Sequence, residues 1–132
     1  MFSVILDMKF RIPRRTRELS WTKHSIEKMK FYGLSESRVK RVWRNPKRVE
    51  EGIAPETIAI MQLAGSKKRP HEIWVMYQKI LDFSNKKSKI RIISCWRYPG
   101  RSPVGKAIPI PEEIRSEIEE EIEKLKREPL KF

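Results

Sequence analysis

The sequence predicts one α+β domain in which an N-terminal helical hairpin packs on an antiparallel sheet of about four strands, with an extra helix at the C-terminal end. Three observations predict it. Two capped helical segments, residues 22–32 and 35–45, are joined through a single residue pair that begins with Gly33. Beyond Pro46 the hydrophobic period changes from helical to two-residue in four successive runs, whose connections are shorter than a parallel crossover requires. A length of 132 residues with 39% hydrophobic content, four Trp, five Phe and three Tyr suffices for a single core, so the 36% charged content does not imply disorder.

The elements follow in order. Residues 2–12 read as a first strand, with Val4, Leu6, Met8 and Phe10 on one parity, before the polar break PRRTRELS. Thr22 is the N-cap of a helix over 23–32, and Gly33 supplies its left-handed stop. Ser35 caps a second helix, with Leu34 and Val39 as a hydrophobic staple, Val39, Val42 and Trp43 on one face, and Asn45-Pro46 as its end. The runs KRVEEGI, TIAIMQLA, HEIWVMYQKILDF and KIRIISCWRY then form a meander. The segment YPGRSPVGKAIPIP reads as an extended loop. A last amphipathic, acidic helix over 112–127 starts with Pro111, Glu112 and Glu113 and carries the apolar stripe Ile114, Ile118, Ile122 and Leu125. That stripe docks on the chain's own sheet or, alternatively, in a partner's groove. Residues 1–132 thus form a single domain with its core over 20–100 and a Pro/Gly-rich loop over 101–111.

Composition narrows the function classes. The single cysteine, Cys95, cannot form an internal disulfide, and no Cys/His cluster offers a metal site, so no metal and no cofactor are expected. The N-terminal stretch lacks the charge order of a signal peptide, and no apolar run has the length of a membrane span, which together indicate a cytoplasmic protein that does not enter membranes. Charge points to a polyanion: 30 Lys+Arg against 17 Asp+Glu give +13. From Pro111 onward there are eight Glu against five Lys or Arg, a balance of −3, which leaves residues 1–110 at +16. Such a body draws phosphate polymers to it.

Candidate site residues follow from this charge. His24 falls in the first turn of a helix beside Lys23 and Lys28, where cations and the positive helix end favour a neutral imidazole able to accept a proton. A packing or capping role is the bland alternative. His71 looks exposed and is assigned no role. On the strand 89–97, the parity of Ile90, Ile92, Trp96 and Tyr98 is expected to face the core, which turns Arg91, Ile93, Cys95 and Arg97 to an open face. Arg91 and Arg97 there form a candidate anion clamp, extended by Arg101 and Lys106, against the alternative of ordinary solvated charges. Trp43 and Trp96 are expected to be buried, whereas Trp21 and Tyr98 are the candidates for an exposed stacking surface. Cys95 is expected to be inert, although neighbouring arginines would lower its pKa.

The stretch WTKHSIEKMKFYGLSESRVKRVWRNPKRV resembles a widespread bacterial and archaeal domain family with the signature THAxxRMxxRGIxxxxVxxxLxxP. It matches at His24, Met29, Gly33, Val39 and Pro46, with Thr22 and Val42 one position before the pattern's Thr and Leu and Lys28 in the place of an arginine. The later RIISCWR is similar to the RIISAR string of BrnT-type toxins of the RelE/ParE-like ribonuclease superfamily. The resemblance covers about residues 20–100. It implies a compact RelE/BrnT-like sheet with N-terminal helices, and metal-independent RNA cleavage neutralised by a cognate antitoxin protein. Carried onto matching positions, it points to His24, Lys28, Arg91 and Arg97. The chain departs from the pattern at Ser25, at Cys95-Trp96 and in its extra helix, and the superfamily also includes gyrase inhibitors that cleave no RNA. Three readings therefore stand: a toxin-type endoribonuclease in which His24 takes the ribose 2′-hydroxyl proton while Arg91 and Arg97 hold the phosphorane; a non-catalytic nucleic-acid-binding module; and a toxin-like protein that blocks a protein target.

Overall fold

The computed structural model describes residues 19–82 and 87–127. The elements are β1 (Leu19–Trp21), α1 (Lys23–Tyr32), α2 (Glu36–Arg44), β2 (Arg48–Glu51), β3 (Thr57–Gly65), β4 (Pro70–Asp82), β5 (Lys87–Pro99) and α3 (Glu112–Arg127). The strand expected over residues 2–12 lies outside the described residues.

The chain is α+β, but its sheet is mixed and five-stranded, in the order β1-β5-β4-β3-β2. Strands β2 to β5 form the antiparallel meander, and β1 adds to β5 in parallel, pairing Leu19 to Trp21 with Ile90 to Ile92. The sequence does not announce β1, because three residues inside a polar run are too few to show a period. Its pairing with β5 makes it a strand.

Both N-terminal helices start and stop where their caps put them. The Thr22 side chain accepts the Ser25 backbone N–H, and the Ser35 side chain accepts that of Arg38. Gly33 adopts φ +66°, and Leu34 N donates to the Met29 carbonyl to close the end of α1. The expected hairpin is corrected, however. Helix α1 packs on β5, and α2 packs on β3 and β4, so the two helices are partnered chiefly by different strands and not by each other. The sheet offers more apolar surface than a neighbouring helix does, and each helix turns its stripe to it.

The sheet is covered on both faces. On the α1/α2 side, Met29, Leu34, Val39 and Val42 pack with Ile60, Ile73, Val75, Ile92 and Cys95. On the α3 side, Ile114, Ile118 and Ile122 pack with Met61, Trp74, Met76, Ile93 and Trp96, where the two indoles stack with centroids 6.1 Å apart. The stripe of α3 is therefore used within the chain. Trp96 Nε1 donates to the Pro109 carbonyl at 2.7 Å, which ties down the loop leading into α3.

One irregularity governs which side chains meet. Tyr77 pairs with Ile92 while Met76 pairs with Ser94, so Ile93 is an extra residue in β5, a β-bulge. The expected parity of β5 fails at that point. Ile90, Ile92 and Cys95 lie on the α1/α2 side, whereas Ile93, Trp96 and Tyr98 lie on the α3 side. Among the described residues, no helix is long and apolar enough to cross a membrane.

Candidate anion-binding site

The bulge separates the two arginines expected to share a face. Arg91 pairs with Gln78, which alternates with Trp74 and Met76 and so faces α3. Arg97 pairs with Ile73 on the α1/α2 side. Neither face is open: Arg91 is only 7% exposed and donates to Gln78 Oε1 at 3.4 Å. The expected clamp of Arg91 with Arg97 is therefore not assembled.

His24 belongs to a closed cluster between α1 and α3. The bulge turns Ser94 toward α3, where its hydroxyl lies 2.9 Å from His24 Nε2. His24 Nδ1 is 3.6 Å from Glu117 Oε2, and Lys28 Nζ is 2.9 Å from Glu117 Oε1. A carboxylate only accepts, so this order favours the proton on Nδ1 and leaves Nε2 to accept from Ser94. The sequence Ser94, His24, Glu117 has the connectivity of a hydrolase triad, but Ser94 is 0% exposed and no substrate can reach its hydroxyl. Burial is the largest influence on His24 and lowers its pKa; Glu117 opposes that, and Lys28 assists it. A neutral ring tying α1 to β5 and α3 is what results.

A second cluster gathers at the other end of β5, around the histidine to which the sequence assigns no role. Arg97 reaches across to the C-terminal end of α1, where Nε donates to the Tyr32 carbonyl at 2.8 Å and Nη2 to the Gly33 carbonyl at 3.4 Å. Its Nη1 lies 2.8 Å from His71 Nε2. A guanidinium has no acceptor, so His71 Nε2 accepts and the ring proton sits on Nδ1, beside the Arg69 backbone with which the imidazole hydrogen-bonds. The ring enters closely against Gly65: a Cβ there would stand 2.7 Å from His71 Nδ1, and φ is +81°. Only glycine suits that position.

Two further arginines complete the cluster. Arg38 on α2 donates to Gln62, whose own amide donates to the Arg41 and Asn45 carbonyls at the end of α2. Arg101 donates to the backbone carbonyl of His71. Its loop is pinned by the buried Glu72, which accepts from Ser102 Oγ at 2.6 Å, Ser102 N at 3.0 Å and Trp74 Nε1 at 3.0 Å.

The electrostatics of this cluster are one-sided. Burial lowers the pKa of His71, and the charged neighbours that lower it further are Arg97, Arg101 and Arg38. Burial likewise lowers Arg38, assisted by Arg41 and Arg97. Among the described residues, no carboxylate pairs with Arg38, His71, Arg97 or Arg101. Three of the five N–H groups of Arg97 are engaged, which leaves donors for an external acceptor.

The remaining expectations fall as follows. Lys23 and Lys106 are exposed, and Tyr98 is half-buried against the α3-side core. Trp21 and Trp43 are both half-buried against the α1/α2-side core, so neither Trp21 nor Tyr98 is an open platform and Trp43 is not fully enclosed. Burial pushes the Cys95 thiol far up, and Arg97 and Lys28 only partly offset this. Sequence reasoning missed His71 and Arg38. Their signal was weak: the string KKRPH marks His71 as flanked by cations, but only the pairing of Pro70 with Gly65 and of His71 with Pro99 brings Arg97 and Arg101 to it. Among the described residues, no three His, Cys, Asp or Glu side chains group as metal ligands. No protein-family model, curated protein or solved structure matches the chain.

Proposed function

We propose that this domain binds RNA, with backbone phosphates held by Arg38, His71, Arg97 and Arg101. The observation that carries this reading is a set of three arginines and a neutral histidine with no carboxylate partner among the described residues. Like charges crowd together at a cost, and a phosphate relieves it. The +16 balance of residues 1–110 supplies attraction, while Glu112, Glu113, Glu119, Glu120 and Glu123, exposed on α3, repel a polyanion from the opposite face. RNA is preferred over other polyanions on the resemblance of residues 22–46 and of RIISCWR to the toxin families. Titration of a labelled RNA strand at rising NaCl tests it. Affinity that falls steeply with salt, and that drops in Arg97→Gln, supports the reading; salt-independent or absent binding defeats it.

A second reading, metal-independent cleavage of the bound strand, is favoured by one observation: His71 holds a neutral ring against the Arg97 guanidinium. Its Nε2, which accepts from Arg97 Nη1 in the free chain, becomes available to take a 2′-hydroxyl proton when a bound phosphate draws that guanidinium away. The base is then His71 and not His24, which faces Ser94 and Glu117. RNA incubated with EDTA should be cleaved by the parent chain and by His24→Gln, and spared by His71→Ala. Cleavage undiminished in His71→Ala would place the base elsewhere.

A further inference from the structure

Phe31 is the most exposed aromatic side chain among the described residues, and it stands on α1 one residue before the Tyr32 carbonyl that anchors Arg97. It is 74% exposed, although Met29 two residues before it is buried in the core and Tyr32 after it packs against that core. Single exposed apolar residues are common and by themselves carry no meaning. Three features set this one apart. The Tyr32 ring stands edge-on to it, with centroids 4.9 Å apart and planes at 81°. Lys28 Nζ lies 5.4 Å from its centroid, within the range of a cation over a ring. The residue after Phe31 gives its carbonyl to Arg97 Nε at 2.8 Å, so the ring stands one residue from the anchor of the central arginine.

The geometry points to Phe31 as a stacking platform for an unpaired base, which makes the ligand of the Arg97 cluster a single-stranded RNA; this rests on the RNA reading above. A flat apolar ring held at its edge by Tyr32 loses little freedom when a base lies on it. With Lys28 over one face, the base takes the other. The phosphate next to that base then lies on the side of Arg97, whose guanidinium is held on the carbonyls of Tyr32 and Gly33, the two residues that follow the ring. A duplex keeps its bases stacked on each other and gains nothing from the ring. A single strand gains both terms: phosphate contact for affinity, and a base on the ring for selection against duplex.

The test compares three probes of one length: an oligouridylate, the same backbone without bases, and an RNA duplex, each titrated by fluorescence anisotropy against the parent chain, Phe31→Ala, Phe31→Tyr and Arg97→Gln. Phe31→Ala is expected to weaken oligouridylate binding by about tenfold, leaving the abasic strand and the duplex unchanged. Phe31→Tyr, which keeps a ring, restores it. Arg97→Gln weakens all three. If Phe31→Ala binds oligouridylate as the parent does while Arg97→Gln does not, the platform is overturned and the RNA site stands. An equal loss on all three probes in Phe31→Ala also overturns it, because it marks a structural role. If the parent binds none of the probes, the RNA reading itself falls and takes the platform with it.

Discussion

The two histidines of the chain stand in surroundings that begin alike and end differently. Each is pushed toward its neutral form by burial and by a neighbouring cation. At His24, the charge of Lys28 is answered within the fold by Glu117, and Ser94 and α3 close the space above the ring. At His71, the charges of Arg97, Arg38 and Arg101 meet, among the described residues, only backbone carbonyls, the Gln62 amide and the imidazole itself. Carbonyl dipoles satisfy N–H donors without cancelling a positive charge. The first cluster is complete and reads as structure. The second is satisfied in hydrogen bonds, yet short of negative charge, and that imbalance is what a phosphate corrects.

The largest effect that sharpens this contrast concerns α3. Ile118 is fully buried against Trp74 and Trp96, so Ile118→Ala should cost about 2–5 kcal/mol of stability in denaturant unfolding. RNA affinity of the folded variant should be unaltered, because α3 covers the opposite face of the sheet. Gained RNA affinity in Ile118→Ala would make α3 a lid over the His24 cluster and erase the contrast. Next comes Arg97→Gln, expected to weaken RNA binding by about tenfold and to lower stability by about 1 kcal/mol, since the cation also closes the C-terminal end of α1. Retained affinity in a folded Arg97→Gln would remove the centre of the second cluster.

The pH dependence is smaller and its sign is fixed. Both histidines have folded pKa values below the ordinary 6.5, so the folded chain binds fewer protons than the unfolded one below that pH. Their contribution to stability is complete above about pH 6.5 and lost as pH falls from there. Thermal unfolding between pH 7.5 and 5 should show this loss, and His24→Gln should flatten it more than His71→Gln, since His24 is the more buried. RNA binding should run the other way. A phosphate beside His71 favours its protonated form, so affinity should rise as pH falls, and His71→Gln should abolish that rise. The smallest effect is that of Glu117→Gln, under about 1 kcal/mol because the carboxylate is 39% exposed and solvent screens it.

The split between these clusters was only half legible in the sequence. Helix caps are local, so Thr22, Gly33 and Ser35 declare α1 and α2 without help from the rest of the chain. The two-residue period likewise declares β3 and β4. What the sequence hides is the bulge at Ile93, because a run of apolar residues such as IRIISCW reads equally well in either register when both faces of the strand are buried. One extra residue there sends Ser94 to His24 and Arg97 to His71, and parts Arg97 from Arg91. The site was thus misread through a register and not through the residue types. His71 looks exposed in the sequence because it opens a strand after the polar run KKRP, and its neighbours across the sheet, Ala64 and Pro99, bring no charge in their own side chains. The cations arrive from α2, from two residues earlier in β5 and from the loop beyond it.

The salt dependence of RNA binding tests the central contrast most directly. Each phosphate contact to a single strand adds about 0.7 to the slope of log affinity against log salt. The double variant Arg38→Gln/Arg97→Gln should therefore reduce that slope by about 1.4, while Glu117→Gln leaves it as in the parent. A slope unmoved by the loss of both arginines but steepened by Glu117→Gln would assign the phosphates to the His24 cluster and contradict the account.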